Sequence, residues 1–537
     1  MYFDNWLVRL TMNSITNFIL ALFFFSSLSF AQSNPVITLV GEYSGDRFGY
    51  FLNKAGDVNN DGYDDFLVAA PGYNDGQGRV YVFLGGPEIN GEPDYVLTGE
   101  YSENEFGYSV STAGDVNNDG YDDIIVGAVS YDSHRGKAYL YLGGTSMSEP
   151  ALTFTGLEAG QKFARSVSTA GDVNGDGFDD VIIGCHYANT HEGRAFIFFG
   201  GTQMDGQPDI ILSPHSQDFH FFGWSVATAG DVNNDGYADV VIGATKFDAY
   251  RGKAYVFFGG ANMDDIPDMQ MSGEEQFDNF GWMVNSAGDI NGDGYDEVII
   301  GSTYYNDSTG RAYIYYGGET PDSEADIILT GETDHNYLGR AVSCAGDVDA
   351  DGYDDILTSA MRHNSYTGKA YIFKGSQYPD IYSDWEYFGE ETRNYFGKSL
   401  SGIGDINADG YDDFIVGAWR NNSDKGKVYV FLGYPMTGVE NSETFSTKKF
   451  MLAQNFPNPF NPNTKIRFYI PESASDKFIV IKVYDVLGSE ITTLAEGRFN
   501  NGWHDVNFNA NGLTSGVYFY RMFSNGLAQT RKMILLE

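Results

Sequence analysis

The sequence is poor in cysteine, histidine and proline, and each scarcity excludes a class of protein. Cys185 and Cys344 are the only cysteines, so the chain is not a disulfide scaffold, and we expect two free, buried side chains. The 8 histidines are scattered, and no zinc, nucleophile or phosphate-binding motif accompanies them. With 15 prolines and no long low-complexity tract, extensive disorder is not expected.

Positive charge is also scarce, with 32 Lys and Arg against 74 Asp and Glu, a formal net charge of -42. Such a chain repels the phosphates of nucleic acids and anionic membranes, so neither is an expected partner.

Long apolar runs are absent apart from one near the start of the chain, at residues 15–30. This run ends in Ser29-Phe30-Ala31, a small-x-small cleavage pattern, whether translation starts at Met1 or Met12. The pattern predicts a signal peptide over 1–31 and export through the periplasm. No transmembrane segment is expected in the mature chain.

One acidic turn is present in abundance: GDVNNDGYDD at 56–65 recurs, with small changes, seven times. The copies begin at residues 56, 114, 171, 230, 288, 346 and 404, a period of 57–59 residues. An aromatic-glycine pair such as Phe48-Gly49 precedes each turn, and two units vary it as Phe163-Ala164 and Leu338-Gly339. An apolar run and an alternating strand such as GRVYVFLGG (78–86) follow it. Four short strands per unit, without convincing helix, predict an all-β, seven-bladed β-propeller over 35–434.

The ends of the repeat array predict a closed ring. VITLVGE (36–42) supplies a fourth-type strand before the first unit, while the last unit ends at 427–435 without one. The N-terminal strand can therefore complete the last blade, which removes the exposed edges of an open solenoid, the alternative arrangement. With the Phe-Gly pair and the D-x-N-x-D-G-x-x-D turn, these units resemble the FG-GAP repeat propellers, such as the head of integrin α subunits. The resemblance implies a calcium-binding adhesion module.

The acidic turn is predicted to bind calcium, up to seven ions per chain. Positions 1, 3, 5 and 9 offer side-chain oxygens, position 7 offers a carbonyl, and the glycine permits the sharp turn. Seven divalent ions would reduce the net charge to about -28. The predicted ligands are Asp57, Asn59, Asp61, Tyr63, Asp65, Asp115, Asn117, Asp119, Tyr121, Asp123, Asp172, Asn174, Asp176, Phe178, Asp180, Asp231, Asn233, Asp235, Tyr237, Asp239, Asp289, Asn291, Asp293, Tyr295, Glu297, Asp347, Asp349, Asp351, Tyr353, Asp355, Asp405, Asn407, Asp409, Tyr411 and Asp413.

The acidic turn invites two other interpretations, an EF-hand and a metal-free turn. An EF-hand needs a bidentate Glu at position 12, where the chain has residues such as Val68 and Thr358, so that interpretation fails. A metal-free Asx turn remains the alternative, although three or four carboxylates in one turn repel each other strongly. Glu297 is a longer arm at position 9 that reshapes or weakens its site. The Asp at position 8, replaced by Ala238 in the fourth unit, is expected to be solvated or strand-pairing.

The remaining chain has a different composition. A polar linker over 435–449 leads into a predicted immunoglobulin-like β-sandwich over 450–537, with strands near 465–470, 478–484, 504–508 and 516–523. Its NFPNPFNP opening, VYDVLGSEI (483–491) and closing TRKMILLE resemble the type A C-terminal sorting domain of the type IX secretion system. The resemblance implies contact with that machinery and location outside the cell or on its surface; a plain accessory sandwich is the alternative.

The function favoured by the sequence is recognition of an extracellular protein or glycan ligand. Aromatic residues on the face opposite the acidic turns are candidates for contacting it, unless each packs within its own blade. They are Tyr73, Tyr131, Tyr187, Phe247, Tyr305, His363 and Trp419. A carbohydrate-binding lectin, or the substrate-binding propeller of a polysaccharide-degrading system, is the alternative. An extracellular hydrolase or lyase ranks third, because no catalytic motif is found.

Overall fold

The computed structural model describes residues 35–214, 220–434, 451–452, 455, 460–470, 478–486, 489–500, 502–524 and 527–536. The chain divides into two compact units, Met1–Met436 and Thr437–Glu537. The predicted signal peptide (1–31) and linker (435–449) lie outside the described residues. None of the described helices has the length and apolarity needed to cross a membrane.

The first unit consists of seven antiparallel four-stranded sheets, as predicted. Six are formed by consecutive strands, and the seventh has the order β1-β28-β27-β26. The strands are β1 Ile37–Val40, β2 Leu52–Gly56, β3 Asp65–Ala70, β4 Arg79–Phe83, β5 Tyr95–Thr98, β6 Phe106–Gly114, β7 Asp123–Ala128, β8 Lys137–Tyr141, β9 Leu152–Thr155, β10 Ser166–Gly171, β11 Asp180–Cys185, β12 Arg194–Phe198, β13 Ile210–Leu212, β14 Phe222–Gly230, β15 Asp239–Ala244, β16 Lys253–Phe257, β17 Met269–Ser272, β18 Phe280–Gly288, β19 Glu297–Ser302, β20 Arg311–Tyr315, β21 Ile327–Thr330, β22 Leu338–Gly346, β23 Asp355–Ala360, β24 Lys369–Phe373, β25 Trp385–Phe388, β26 Ser399–Gly404, β27 Asp413–Ala418 and β28 Lys427–Phe431.

The apolar run of each unit forms the second strand of its sheet. Every residue of β7 and of β15 is buried, because both faces of a blade pack against neighbouring blades. One apolar cluster, for example, joins Val80 and Val82 of the first sheet to Ile124 and Val126 of the second. The core of this unit therefore lies between successive sheets, which explains why continuous apolar runs replace an alternating pattern.

A single helical turn connects the second and third strands of each sheet, where the sequence predicted no helix. Its inner residues have positive φ, as at Asn74 (φ 48°) and Asp75 (φ 56°), so the turn is left-handed rather than α-helical. Small polar residues tolerate this conformation best, which explains the NDG and DSH motifs. The turns are Tyr73–Gly76, Tyr131–His134, Ala188–His191, Phe247–Tyr250, Tyr305–Ser308, His363–Tyr366 and Asn421–Asp424.

The seven sheets form a closed ring. The first strands of successive sheets (β2, β6, β10, β14, β18, β22 and β26) contact one another in turn, and β26 contacts β2. These strands therefore line the axis. The predicted closure is also present, since β1 pairs antiparallel with β28, with Ile37 opposite Val430 and Val40 opposite Lys427.

Both cysteines are free, as predicted. Cys185 lies buried in β11, whereas Cys344 in β22 is only partly buried.

The second unit is a β-sandwich of two sheets, ordered β29-β30-β33 and β32-β31-β34-β35. Four of its strands were predicted from the sequence, whereas β32 and β35, of 9 residues each, were not. A single apolar core, with Phe468, Ile481 and Tyr520 fully buried, lies between the sheets. The strands are β29 Met451–Leu452, β30 Asn463–Ile470, β31 Phe478–Tyr484, β32 Glu490–Arg498, β33 Gly502–Asn509, β34 Gly516–Ser524 and β35 Leu527–Leu535.

Candidate functional site

Each acidic turn connects the first and second strands of a sheet, so all seven turns lie on one face of the ring, here called the acidic face. In the first turn, backbone N–H groups of Asp61 and Gly62 donate to the Asp57 carboxylate at 3.0 and 2.8 Å. The Tyr63 N–H donates to Asp61 Oδ1 at 3.1 Å. Overlapping Asx turns of this kind hold the oxygens of positions 1 and 5 within one small loop.

The carboxylate at position 9 anchors the turn to the sheet. Asp65 is fully buried and accepts hydrogen bonds from the backbone N–H groups of Val58 (2.9 Å) and Gly85 (2.7 Å). In the fifth unit Glu297 accepts from the Ile290 N–H and from Asn291 Nδ2, both within its own turn. The longer Glu arm therefore contacts the position 3 amide.

The position 9 carboxyls are poor anions in this environment. Burial raises their pKa, and the neighbouring carboxylates at positions 1 and 5 raise it further, against the opposing effect of the backbone N–H groups. The pKa is about 7 for Asp65, Asp123, Asp180 and Asp239, about 8 for Asp355 and Asp413, and about 9 for Glu297.

The oxygen atoms of the turns fit a hard divalent cation. Buried Asn117 Oδ1 and Asp349 Oδ1, both at position 3, have no hydrogen-bond donor. Three carboxylates have oxygens within 4.8 Å of one another in the fifth turn (Asp289, Asp293, Glu297) and in the sixth (Asp347, Asp349, Asp355). A set of ligands made only of oxygen atoms suits calcium. The two oxygens that accept no hydrogen bond argue against a purely structural Asx turn.

The sixth turn differs because it already contacts a cation of the protein. Lys374, which follows β24, forms ion pairs with Asp349 and, at 3.0 Å, with Asp351. These are positions 3 and 5 of the turn, so the ammonium group neutralises part of the predicted ligand set.

The aspartate at position 8 joins neighbouring blades, which corrects the expectation of a solvated or strand-pairing residue. The Asp57 N–H donates to Asp122 Oδ2 of the next blade at 2.8 Å, and the Asp122 N–H donates back to the Asp57 carbonyl. Six of the seven junctions between turns have this side-chain bond, at 2.8–3.0 Å. The sequence offered no sign of it, since the partners are more than 60 residues apart.

The exception is the junction at Ala238, where only the backbone bond from its N–H to the Asp172 carbonyl remains, at 3.1 Å. The close approach also explains the glycine before position 1. A Cβ at Gly56 would lie 2.1 Å from Asp122 Oδ2, and the φ of +78° disfavours other residues.

The predicted aromatic residues lie on the face opposite the acidic turns, and all seven are partly buried. Four contact the basic residue that opens the third strand of their own sheet, at 3.7–5.1 Å from the ring centroid: Tyr73 with Arg79, Tyr131 with Lys137, Phe247 with Lys253 and Tyr305 with Arg311. His363 packs on Phe388, Tyr187 on His186, and Trp419 on Tyr50. Most of these aromatic side chains therefore contact residues of their own blade.

A different set of residues converges on the axis at this face. The residue after each aromatic-glycine pair or its variant, near the start of the first strand, lines one cavity of about 40 Å³. We call this set the axial ring: Tyr50, Tyr108, Arg165, Trp224, Trp282, Arg340 and Lys398. The axial ring was not predicted from the sequence, although the residue that follows each pair recurs once in every repeat.

Models of known families match parts of both units. Residues 48–83, 222–257, 281–315, 339–373 and 396–431 match the FG-GAP repeat, and residues 115–183 match an FG-GAP-like repeat. Residues 454–536 match a secretion system C-terminal sorting domain.

Similar curated proteins are integrin α subunits. Integrin alpha-5 of Xenopus laevis is 34% identical over 244 residues, which are 42% of this chain and 23% of that protein. Integrin alpha-IIb of Mus musculus is 31% identical over 247 residues, 41% of this chain and 24% of that protein. The chain thus matches about a quarter of the length of these relatives.

Among solved structures, PorZ, a surface component of the type IX secretion system of Porphyromonas gingivalis, has a TM-score of 0.37 at 13% identity, covering 92% of this chain and 60% of PorZ. Sqt1 of Chaetomium thermophilum has a TM-score of 0.46 at 11% identity, covering 75% of this chain and 98% of Sqt1.

Proposed function

From the premise that the chain carries FG-GAP repeats and a type IX C-terminal sorting domain, we propose that it is a calcium-binding propeller that recognises an extracellular protein ligand. The sorting domain marks the chain for export to the cell surface or the surrounding medium. The two modules have separate roles. The sorting domain directs export, and the propeller presents its loops to a ligand.

The observation that carries the proposal is the sevenfold acidic turn, two copies of which have a buried position 3 oxygen without a hydrogen-bond donor. Calcium bound there would be held by side chains at positions 1, 3, 5 and 9 and by the position 7 carbonyl. The ion would offset the repulsion of the carboxylates at the junctions between blades. We expect calcium to stiffen the ring and so keep the opposite face ready for binding.

We place the ligand on the face opposite the acidic turns. That face has the axial ring, the partly buried aromatic residues and an open cavity of about 440 Å³ lined by residues such as Arg47, Asp75 and His134. The aromatic residues mostly lie against cations of their own blade, which leaves them less available for stacking on sugars. A protein ligand is therefore favoured over a glycan.

A binding role is favoured over catalysis. The many paired carboxylates belong to the acidic turns, where their geometry suits a cation, and the cavities named above lie on the opposite face. FG-GAP propellers of the integrin kind bind ligands without catalysis, and this chain offers the same type of scaffold.

The proposal is tested by applying the purified mature chain to arrays of extracellular proteins and of glycans, each in millimolar calcium and in EDTA. We expect saturable binding to a protein that is lost in EDTA and restored by calcium. Binding to glycans alone would replace the proposal with a lectin, and binding that ignores EDTA would remove calcium from it. The isolated second unit, 450–537, is the matched control and should bind no array ligand.

A further inference from the structure

We propose that the axial ring is a carboxylate-binding site, which receives an acidic side chain of the protein partner. Three of its seven residues are cations (Arg165, Arg340 and Lys398), in a chain with a net charge of -42. The inference deepens the proposed function, on which it rests, by naming the ligand chemistry at the axis.

The three cations lack acidic partners among the described residues. No ion pair involves any of them, whereas five other cations, at the start of third strands, pair with a glutamate, as Arg79 does with Glu42 at 2.7 Å. The hydrogen bond of Lys398 Nζ goes to the neutral Tyr50 carbonyl at 3.3 Å. The charges of the ring are therefore uncompensated.

Aromatic residues hold these cations in place without neutralising them. Arg165 lies 4.4 Å from the ring centroid of Trp224, Arg340 lies 5.2 Å from that of Trp282, and Lys398 lies 4.1 Å from that of Tyr50. Cation-π contacts stabilise a charge but leave it positive and able to attract an anion. The ring thus presents positive charge toward the axis, where it can attract an anion.

Burial makes the lack of partners costly. Lys398 is 5% exposed. Burial lowers the pKa of both Lys398 and Arg340, and the positive charges of the ring lower the pKa of Lys398 further. An anion at the axis would relieve both effects, because it replaces lost hydration and offsets the mutual repulsion. The indole Nε1 of Trp224, buried without an acceptor, is a further donor for such a group.

The size of the cavity selects the anion. About 40 Å³ holds roughly three water-sized groups, enough for a carboxylate but not for a sugar ring. A carboxylate at the end of a flexible stem, as in Asp or Glu, can enter, whereas a uronic acid carries its carboxylate directly on the ring. The geometry therefore favours an acidic side chain over an acidic glycan.

The test is a titration of the purified mature chain with glutarate, followed by tryptophan fluorescence, which Trp224 and Trp282 report from within the ring. We expect a saturable change with a Kd in the millimolar range or below, and no change with the neutral analogue glutaramide. An equal response to both compounds, or no response, would overturn the proposal. This readout needs no partner, so failure of the array experiment alone would overturn only the proposed function.

Substitutions of Lys398 distinguish a role in glutarate binding from a role in packing. Lys398→Met should weaken glutarate binding at least about tenfold and raise the melting temperature by a few degrees, because it replaces an unpaired buried charge by an apolar stem. Lys427→Met, at a cation paired with Glu390, is the control and should leave binding unchanged. If Lys398→Met does not fold, Arg165→Gln serves as the second variant, with the same loss of binding expected. Unchanged binding in the folded variant would overturn the proposal.

The class of partner is tested by competition. N-acetyl-glutamate amide should displace glutarate, and galacturonate should not. Displacement by galacturonate alone would overturn the assignment to a protein side chain and point to an acidic glycan.

Discussion

The side-chain carboxylate of Asp64 accepts a hydrogen bond from the backbone N–H of Asp405 at 3.0 Å, across the seam between the first and the last blade. The two residues are 341 positions apart in the chain. The same bond joins six of the seven pairs of neighbouring turns. The acidic face is therefore held together by side chains that are not themselves predicted calcium ligands.

We expect Asp64→Ala to lower the free energy of unfolding by about 1–3 kcal/mol, because it leaves the Asp405 N–H without its acceptor. Asp64→Asn keeps an acceptor oxygen and should remain close to the wild type, and Glu88→Ala, at an exposed position, should change little. Thermal unfolding followed by circular dichroism measures all three. Equal stability of the alanine and asparagine variants would contradict the assigned role of the bond.

Removal of calcium should destabilise the propeller selectively. At a free calcium concentration ten times the Kd, each site contributes about 1.4 kcal/mol, or roughly 10 kcal/mol over seven independent sites. That sum rivals the stability of a whole domain, about 5–15 kcal/mol. Scanning calorimetry should therefore show a large downward shift of the propeller transition in EDTA and no shift for the second unit. The same propeller transition in EDTA and in millimolar calcium would show that the turns are not calcium sites.

The sixth turn should bind calcium most weakly, because the Lys374 ammonium competes for Asp349 and Asp351. Lys374→Leu is expected to tighten binding at this turn about tenfold or more, equivalent to 1.4 kcal/mol. The same variant should be less stable than the wild type in EDTA, since buried Asp349 loses its partner.

Leu84→Lys is the matched reciprocal variant, because Leu84 occupies the place of Lys374 in the first sheet. The backbone N–H of each donates to an aspartate ten residues later, at 2.9 Å. This change should weaken calcium binding at the first turn. Calorimetric titration with calcium measures both, and unchanged binding in both variants would rule out competition by lysine.

Because the N-terminal strand β1 closes the ring, substitution of a buried residue in β1 should destabilise the propeller more than substitution of an exposed one. Leu39 is 4% exposed and packs in the last sheet, whereas Val40 is 51% exposed. Leu39→Ala should cost about 2–5 kcal/mol. Val40→Ala should stay within about 0.5 kcal/mol. Similar losses in chemical denaturation of the two variants would argue against closure by this strand.

Local patterns in the sequence were sufficient for the architecture. The seven acidic turns, the apolar run after each and the spare strand at 36–42 determined the number of blades and the strand that closes the ring, since each depends on residues close together in the chain. The candidate oxygen ligands of each turn were also identifiable, because all lie within nine consecutive residues.

Only the tertiary structure decided what crosses from one blade to another. The bond between Asp57 and Asp122 and the convergence of Arg165, Arg340 and Lys398 on the axis join residues about 60 to 230 positions apart. No local periodicity encodes such distances. The contacts between blades follow from the twist and closure of the ring. Closure brings the same position of every repeat to one axis and places each turn against the next.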